Sequence, residues 1–255
     1  MSEFIERLLR VGAISSNPIG FGTNRSSQKP SGMVLVGVLD LEKPRPDLQT
    51  LVEYVAIRVS NPTKNKLASA KRMASNLVWG IWSSRLSDKS SASIKQQGGD
   101  FYVIPDIDLP ASLISSEEIG KVVVVPFDLP EELCQSIGDL PIEAVLVSGL
   151  ETKLKLTLRD VMTIRVMSDS ISKPMVLVRS VSLLETDLSM LQEAGVNGIM
   201  LNLECISLED LEMTRDVLEK LPQRRAKKHV QTSAIAKITT LEANHFDYED
   251  DDNNE

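Results

Sequence analysis

Leu77-Val78-Trp79-Gly80-Ile81-Trp82 is the stretch whose reading decides the fold. Apolar residues at Leu67, Ala70, Ala74, Leu77, Val78 and Ile81 are spaced so that one helix could run on to Leu86. The two tryptophans and Gly80 favour a strand instead, because aromatic side chains suit a pleated surface. With a helix ending near Ala74 and a strand over Leu77–Trp82, strand-like apolar runs recur at intervals of roughly 20–25 residues. They are Met33–Leu39, Val55–Ser60, Leu77–Trp82, Phe101–Pro105, Val122–Phe127, Ala144–Ser148, Met175–Ser180 and Gly198–Leu203. Most of the gaps between them can hold a helix.

Working outward, Val34-Leu35-Val36-Gly37-Val38-Leu39 is nearly all apolar and Val122-Val123-Val124-Val125 wholly so. Strands buried on both faces read this way, as they do in parallel sheets covered by helices. Eight such units predict an α/β protein built as a (β/α)8 barrel, the TIM barrel, over residues 33–221. If the third unit were helix, seven would remain, and the alternative is an open doubly wound α/β sheet. Helix signals fit the barrel: Asn61-Pro62-Thr63 starts a helix, Gly98-Gly99 and Gly195 stop helices, and Ser207 is an N-cap for Leu208–Leu221. Leu158, Val161, Met162, Arg165 and Val166 stand at helical spacing within Thr157–Ser168.

Residues 1–32 read as an N-terminal helix and loop. Phe4, Ile5, Leu8, Leu9 and Val11 share one helical face, which predicts a plug at the bottom of the barrel. The stretch Ser15–Gly32 is rich in Ser, Gly, Pro and Asn. Its Gly20-Phe21-Gly22 with Arg25 precedes the first strand instead of following one, so it reads as a linker and not as an anion cradle. Residues 222–255 form a C-terminal extension: a basic Arg224–His229, a short apolar element at Ala234–Leu241 and an acidic tail at Phe246–Glu255, expected to be disordered.

The formal charge of the 255 residues is −8. Six acids in Phe246–Glu255 account for −6 of it, leaving a body near −2 and no electrostatic case for nucleic acid. No apolar run approaches the roughly 18 residues of a membrane span. Two cysteines, Cys134 and Cys205, make no disulfide framework, as expected of a cytoplasmic protein. No GxGxxG or P-loop fingerprint occurs, so nucleotide binding has no support.

A barrel carries its site at the C-terminal ends of its strands. The polar residues there are Asp40, Arg58, Ser60, Asp106, Asp128, Ser148, Arg179, Ser180, Asn202 and Glu204. Asp106 and Asp128 are the candidate catalytic carboxylates, as a base or as oxygen ligands to magnesium. Asp40, Arg58, Ser148, Arg179, Asn202 and Glu204 are the candidate substrate-binding residues, the arginines suited to holding a carboxylate or phosphate in bidentate fashion. No lysine stands at a strand end to act as a Schiff-base nucleophile. His229 and His245 both lie outside the barrel units, so no histidine-built metal site is expected and no cofactor is evident beyond magnesium.

The stretch Leu191-Gln192-Glu193-Ala194-Gly195-Val196-Asn197-Gly198-Ile199-Met200-Leu201 resembles the helix-turn-strand unit late in barrels of the aldolase and phosphate-binding kind. The whole pattern is also similar to uncharacterised bacterial barrel proteins. The resemblance implies the barrel fold. Phosphate binding in those families uses glycine-rich loops after strands seven and eight. Here the loops are Ser180-Val181-Ser182-Leu183 and Glu204-Cys205-Ile206-Ser207, without glycine, and no catalytic residue carries over. Two functions stand beside each other: a lyase- or isomerase-like enzyme acting on a small anionic metabolite, or a non-catalytic barrel that binds a metabolite or a partner protein. A homo-oligomer is compatible with either.

Overall fold

The computed structural model describes residues 2–12, 32–87, 89–115 and 119–222. Eight parallel strands close into a barrel in sequence order. They are β1 (Val34–Asp40), β2 (Tyr54–Arg58), β3 (Val78–Trp82), β4 (Phe101–Ile104), β5 (Gly120–Pro126), β6 (Ala144–Ser148), β7 (Met175–Arg179) and β8 (Gly198–Asn202). The last strand closes on the first, with Val36 level with Met200. The helices are α1 (Glu3–Gly12), α2 (Pro46–Gln49), α3 (Lys64–Ala74), α4 (Ser90–Gln96), α5 (Glu131–Asp139), α6 (Leu158–Ser170), α7 (Glu185–Ala194) and α8 (Leu208–Lys220). Between β4 and β5 the described chain makes a 3-10 turn, Ala111–Ile114. This is the (β/α)8 barrel expected from the eight apolar runs, and closure rules out the open sheet.

The deciding stretch is a strand because it is paired on both sides. Gly80 lies level with Ala56 of β2 and with Phe101 of β4. A Cβ on Gly80 would sit 2.5 Å from the Phe101 ring. The glycine therefore makes room for Phe101 to fill the barrel interior.

Alternation along the strands builds two separate apolar layers. Val36, Ala56, Val103, Val122, Leu146, Val176 and Met200 point inward and pack with Phe4, Ile5 and Leu8 of α1. Leu39, Ile57, Ile81, Val145, Leu177 and Leu201 point outward against the helices. The N-terminal helix is thus the predicted plug: the Phe4 ring lies 4.5 Å from that of Phe101 and 5.3 Å from that of Tyr54.

Helix ends are fixed by their caps. Ser207 accepts from the N–H of Asp210, and Thr157 with Asp160 forms a reciprocal capping box at α6. Gly195 ends α7 at φ 112°, a left-handed conformation that glycine adopts without penalty. One helix departs from the expected pattern. Leu158, Met162 and Val166, which mark α6 in the sequence, are exposed, and its buried side chains are Asp160, Ile164 and Met167.

The readings of residues 13–31, of Arg224–His229, of Ala234–Leu241 and of the acidic tail lie outside the described residues. Among the described residues no helix is long and apolar enough to cross a membrane.

Candidate functional site

The C-terminal ends of β1, β2 and β3 bring three side chains side by side. Asp40 lies level with Arg58, and Arg58 level with Trp82. Val38 and Ala56, two residues earlier on β1 and β2, belong to the interior layer, and Trp82 packs against that layer. Period-two alternation therefore turns Asp40 and Arg58 toward the mouth as well. The Arg58 guanidinium carbon stands 5.0 Å from the centroid of the Trp82 ring, within cation–π range.

These three side chains and Pro105 line a cavity of about 310 Å³, displaced from the barrel axis toward the first four strands. Glu42, Ser60, Ser84 and Lys66 also line it. Lys66 reaches in from the first turn of α3; its Nζ donates to Ser60 Oγ at 3.0 Å and lies 3.8 Å from Glu42. That first turn contains no acid, so the lysine adds to the positive end of the helix. The Asp40 carboxylate accepts from the N–H of Glu42 at 2.9 Å, which ties the β1 loop down. Among the described residues Arg58 forms no ion pair with any carboxylate, although it is half-buried.

The other residues expected at the mouth divide into two groups. Ser148 and Asn202 follow inward-facing Leu146 and Met200, but each is engaged locally. Ser148 Oγ donates to the carbonyl of Val125, and Asn202 Oδ1 accepts from the N–H of Glu204. Glu204 pairs with Lys43 at 3.4 Å. Asp106 and Asp128 are exposed beyond the ends of β4 and β5, outside the cavity lining. Asp106 accepts from the N–H of Asp108, an ordinary loop turn.

Arg179 is not at the mouth. Inward-facing Val176 and Val178 leave Arg179 on the outer side of β7, fully buried. Its two terminal nitrogens donate to the carbonyls of Leu150 and Lys153, in the loop before α6. Burial pulls its pKa below the ordinary arginine value, against the opposing charges of Asp187, Glu151 and Asp160. No ion pair among the described residues joins Arg58 or Arg179 to Asp40, Asp106, Asp128 or Glu204.

Among the described residues no group of three or more His, Cys, Asp or Glu is placed to hold a metal ion. Asp106 and Asp128, the carboxylates expected to serve magnesium, therefore belong to no such group.

Sequence reasoning missed Lys66 and Trp82. The search for a lysine stopped at the strand ends, whereas Lys66 comes from the helix beyond; a first turn with lysines and no acid was the available signal. Trp82 served only to argue for a strand; its distance of two from Gly80 puts the two on one face, and only the packing shows that this face is the interior.

The fold and its mouth define a TIM barrel with a small polar cavity to one side. The chain is similar to a variant of the tryptophan synthase alpha-subunit from the hyperthermophile Pyrococcus furiosus, with a TM-score of 0.57 and 14% identity over 74% of this chain and 97% of that one. It is also similar to thiamine phosphate pyrophosphorylase from Pyrococcus furiosus, with a TM-score of 0.54 and 11% identity over 73% of this chain and 96% of that one. Likeness at such identity is likeness of fold, and a fold of this kind hosts many chemistries. No family model matches the chain, and no curated protein matches it in sequence.

Proposed function

We propose that the protein binds a small anionic metabolite, a carboxylate or a phosphate ester, in the cavity between the ends of β1 and β4. The observation that carries this reading is Arg58: half-buried against Trp82, lining the cavity and without a carboxylate partner among the described residues. A cation removed from water without a counter-charge is unfavourable, and a ligand anion would supply that charge through paired N–H donors. The N-terminal end of α3 adds positive potential on the same side, and Lys66, 3.8 Å from Glu42, stands there as a second donor. Trp82 offers an apolar wall for the carbon skeleton of the ligand.

The enzyme reading, of the lyase or isomerase kind, rests on Asp40. It lines the same cavity and lies next to Arg58 in register. A carboxylate there could take a proton from a carbon or hydroxyl beside the anion that Arg58 holds. In this reading Asp40 takes the role that the sequence suggested for Asp106 and Asp128, since it lines the cavity and they do not.

The test is a thermal-shift screen of carboxylated and phosphorylated metabolites, followed by titration of Arg58→Met and Asp40→Asn. Hydrogen bonds to a charged group are worth about 1.5–3 kcal/mol, so Arg58→Met should weaken binding by roughly 10- to 100-fold with the fold intact. A panel in which nothing shifts the wild type, or an Arg58→Met variant that binds as tightly, would overturn the proposal. Asp40→Asn should keep binding and lose turnover. A wild type that binds without turning over any ligand would be a non-catalytic binding barrel.

A further inference from the structure

We propose that the ligand of the cavity beside Trp82 carries both charges: an anionic group held by Arg58, and a primary amine on the first or second carbon from it, held as the ammonium by Asp40. This rests on the reading that Arg58 anchors an anion, and it adds the second charge of the ligand. Four charged side chains line the cavity: Asp40, Glu42, Arg58 and Lys66. Glu42 and Lys66 stand 3.8 Å apart and balance each other. Asp40 and Arg58 are both half-buried, and among the described residues neither forms an ion pair.

The two unpaired charges are neighbours kept apart. Asp40 on β1 lies level with Arg58 on β2, yet each is engaged elsewhere. The Asp40 carboxylate accepts from the N–H of Glu42 at 2.9 Å, which turns it to its own loop. The Arg58 guanidinium lies over the Trp82 ring at 5.0 Å, on β3, which flanks β2 on the side away from β1. A positive and a negative group thus line one cavity of about 310 Å³ without meeting. Charges partly removed from water gain from a counter-charge, and a molecule with both signs supplies the two at once.

The balance of charge favours such a ligand over a plain anion. A plain anion at Arg58 has the Asp40 carboxylate beside it as a like charge, which weakens its binding. An ammonium on the same ligand turns that repulsion into a charge-assisted hydrogen bond. The sheet sets the length of the ligand. Neighbouring strands lie about 4.8 Å apart, which is the scale of the separation between the Asp40 and Arg58 positions. That scale suits an amine one or two carbons from the anionic group, and not one at the end of a long chain. Asp40 then stands beside the carbon that bears the amine, where the enzyme reading needs its base.

The test is calorimetric titration of the full chain at neutral pH with matched pairs that differ only in the amine: β-alanine against propionate, and 2-aminoethylphosphonate against ethylphosphonate. In at least one pair the amine-bearing member should bind about 10-fold more tightly or better. Asp40→Asn keeps an oxygen for the N–H of Glu42, so circular dichroism and plain-anion binding should hold while the advantage of the amine disappears. Arg58→Met should weaken both members of the pair. Equal binding within both pairs, or an Asp40→Asn variant that still prefers the amine, would overturn this inference and leave the anion site standing. Binding by no member of either pair would overturn it as well, and the anion reading would then stand or fall on the wider metabolite screen.

Discussion

The Ser2 hydroxyl donates to the Asp100 carboxylate at 2.6 Å, tying the entry to α1 to the residue just before β4. The same carboxylate accepts from the N–H groups of Glu3 and Phe4 at 2.9 and 3.0 Å. Ser2 also caps the helix in the usual way, its hydroxyl accepting from the N–H of Ile5 at 3.3 Å; Asp100 adds a second cap from the barrel floor, which seats the plug. Replacing a cap by alanine costs about 0.5–2 kcal/mol. With three donors orphaned, Asp100→Ala should lose about 2 kcal/mol in urea unfolding and open α1 to protease. A variant as stable and as protease-resistant as the wild type would show that the interior packing of Phe4 and Leu8 suffices.

The two arginines read from the sequence as equivalent should behave as opposites. Removing Arg179 leaves the buried carbonyl of Leu150 and the part-buried carbonyl of Lys153 without their donors. An unsatisfied buried acceptor costs about 1–3 kcal/mol, so Arg179→Met should lose about 3 kcal/mol of stability. Ligands found for the wild type should still bind to the folded fraction. A stable Arg179→Met protein that had lost its ligand would return Arg179 to the site.

Asp160 makes stability depend on acid. Burial by itself raises its pKa, but Lys153 at 2.6 Å and the backbone and hydroxyl of Thr157 outweigh that and hold it below the usual carboxylate value. A carboxyl depressed on folding stabilises the fold at pH values above its unfolded pKa, about 3.9. That contribution fades as pH falls below this value and through the lower folded pKa. Asp160→Asn should therefore be less stable than the wild type at neutral pH, and the difference should narrow as the pH drops below about 4. A constant difference across that range in paired urea titrations would mean that Asp160 acts through the shape of the capping box alone.

The eight strands were legible because strands buried on both faces are unbroken apolar runs. Even the ambiguous third unit followed from Trp79, Gly80 and Trp82 together with the count. The same property hid the site. In a strand with one wet face, alternation announces which side chains turn inward, whereas in Met175-Val176-Leu177-Val178 both faces are apolar and nothing marks the parity. Arg58 and Arg179 therefore looked alike at their strand ends, and only one of them faces the mouth. The row Leu158, Met162 and Val166 in α6 misleads in a related way. Its spacing correctly announced a helix, but a helix with apolar residues on two sides does not say which of them the barrel covers.

By itself, then, the sequence determined the rhythm of strands and helices, the barrel, the plug helix and the end of the barrel at which charged side chains collect, since each depends on local apolar content and chain punctuation. The tertiary structure alone decided that Asp40, Arg58, Trp82 and Lys66 share one cavity while Arg179 braces a loop behind the wall. The direction of a side chain in a doubly buried strand depends on its pairing register with both neighbours. That register is settled only when β8 closes on β1 and the interior has to be filled.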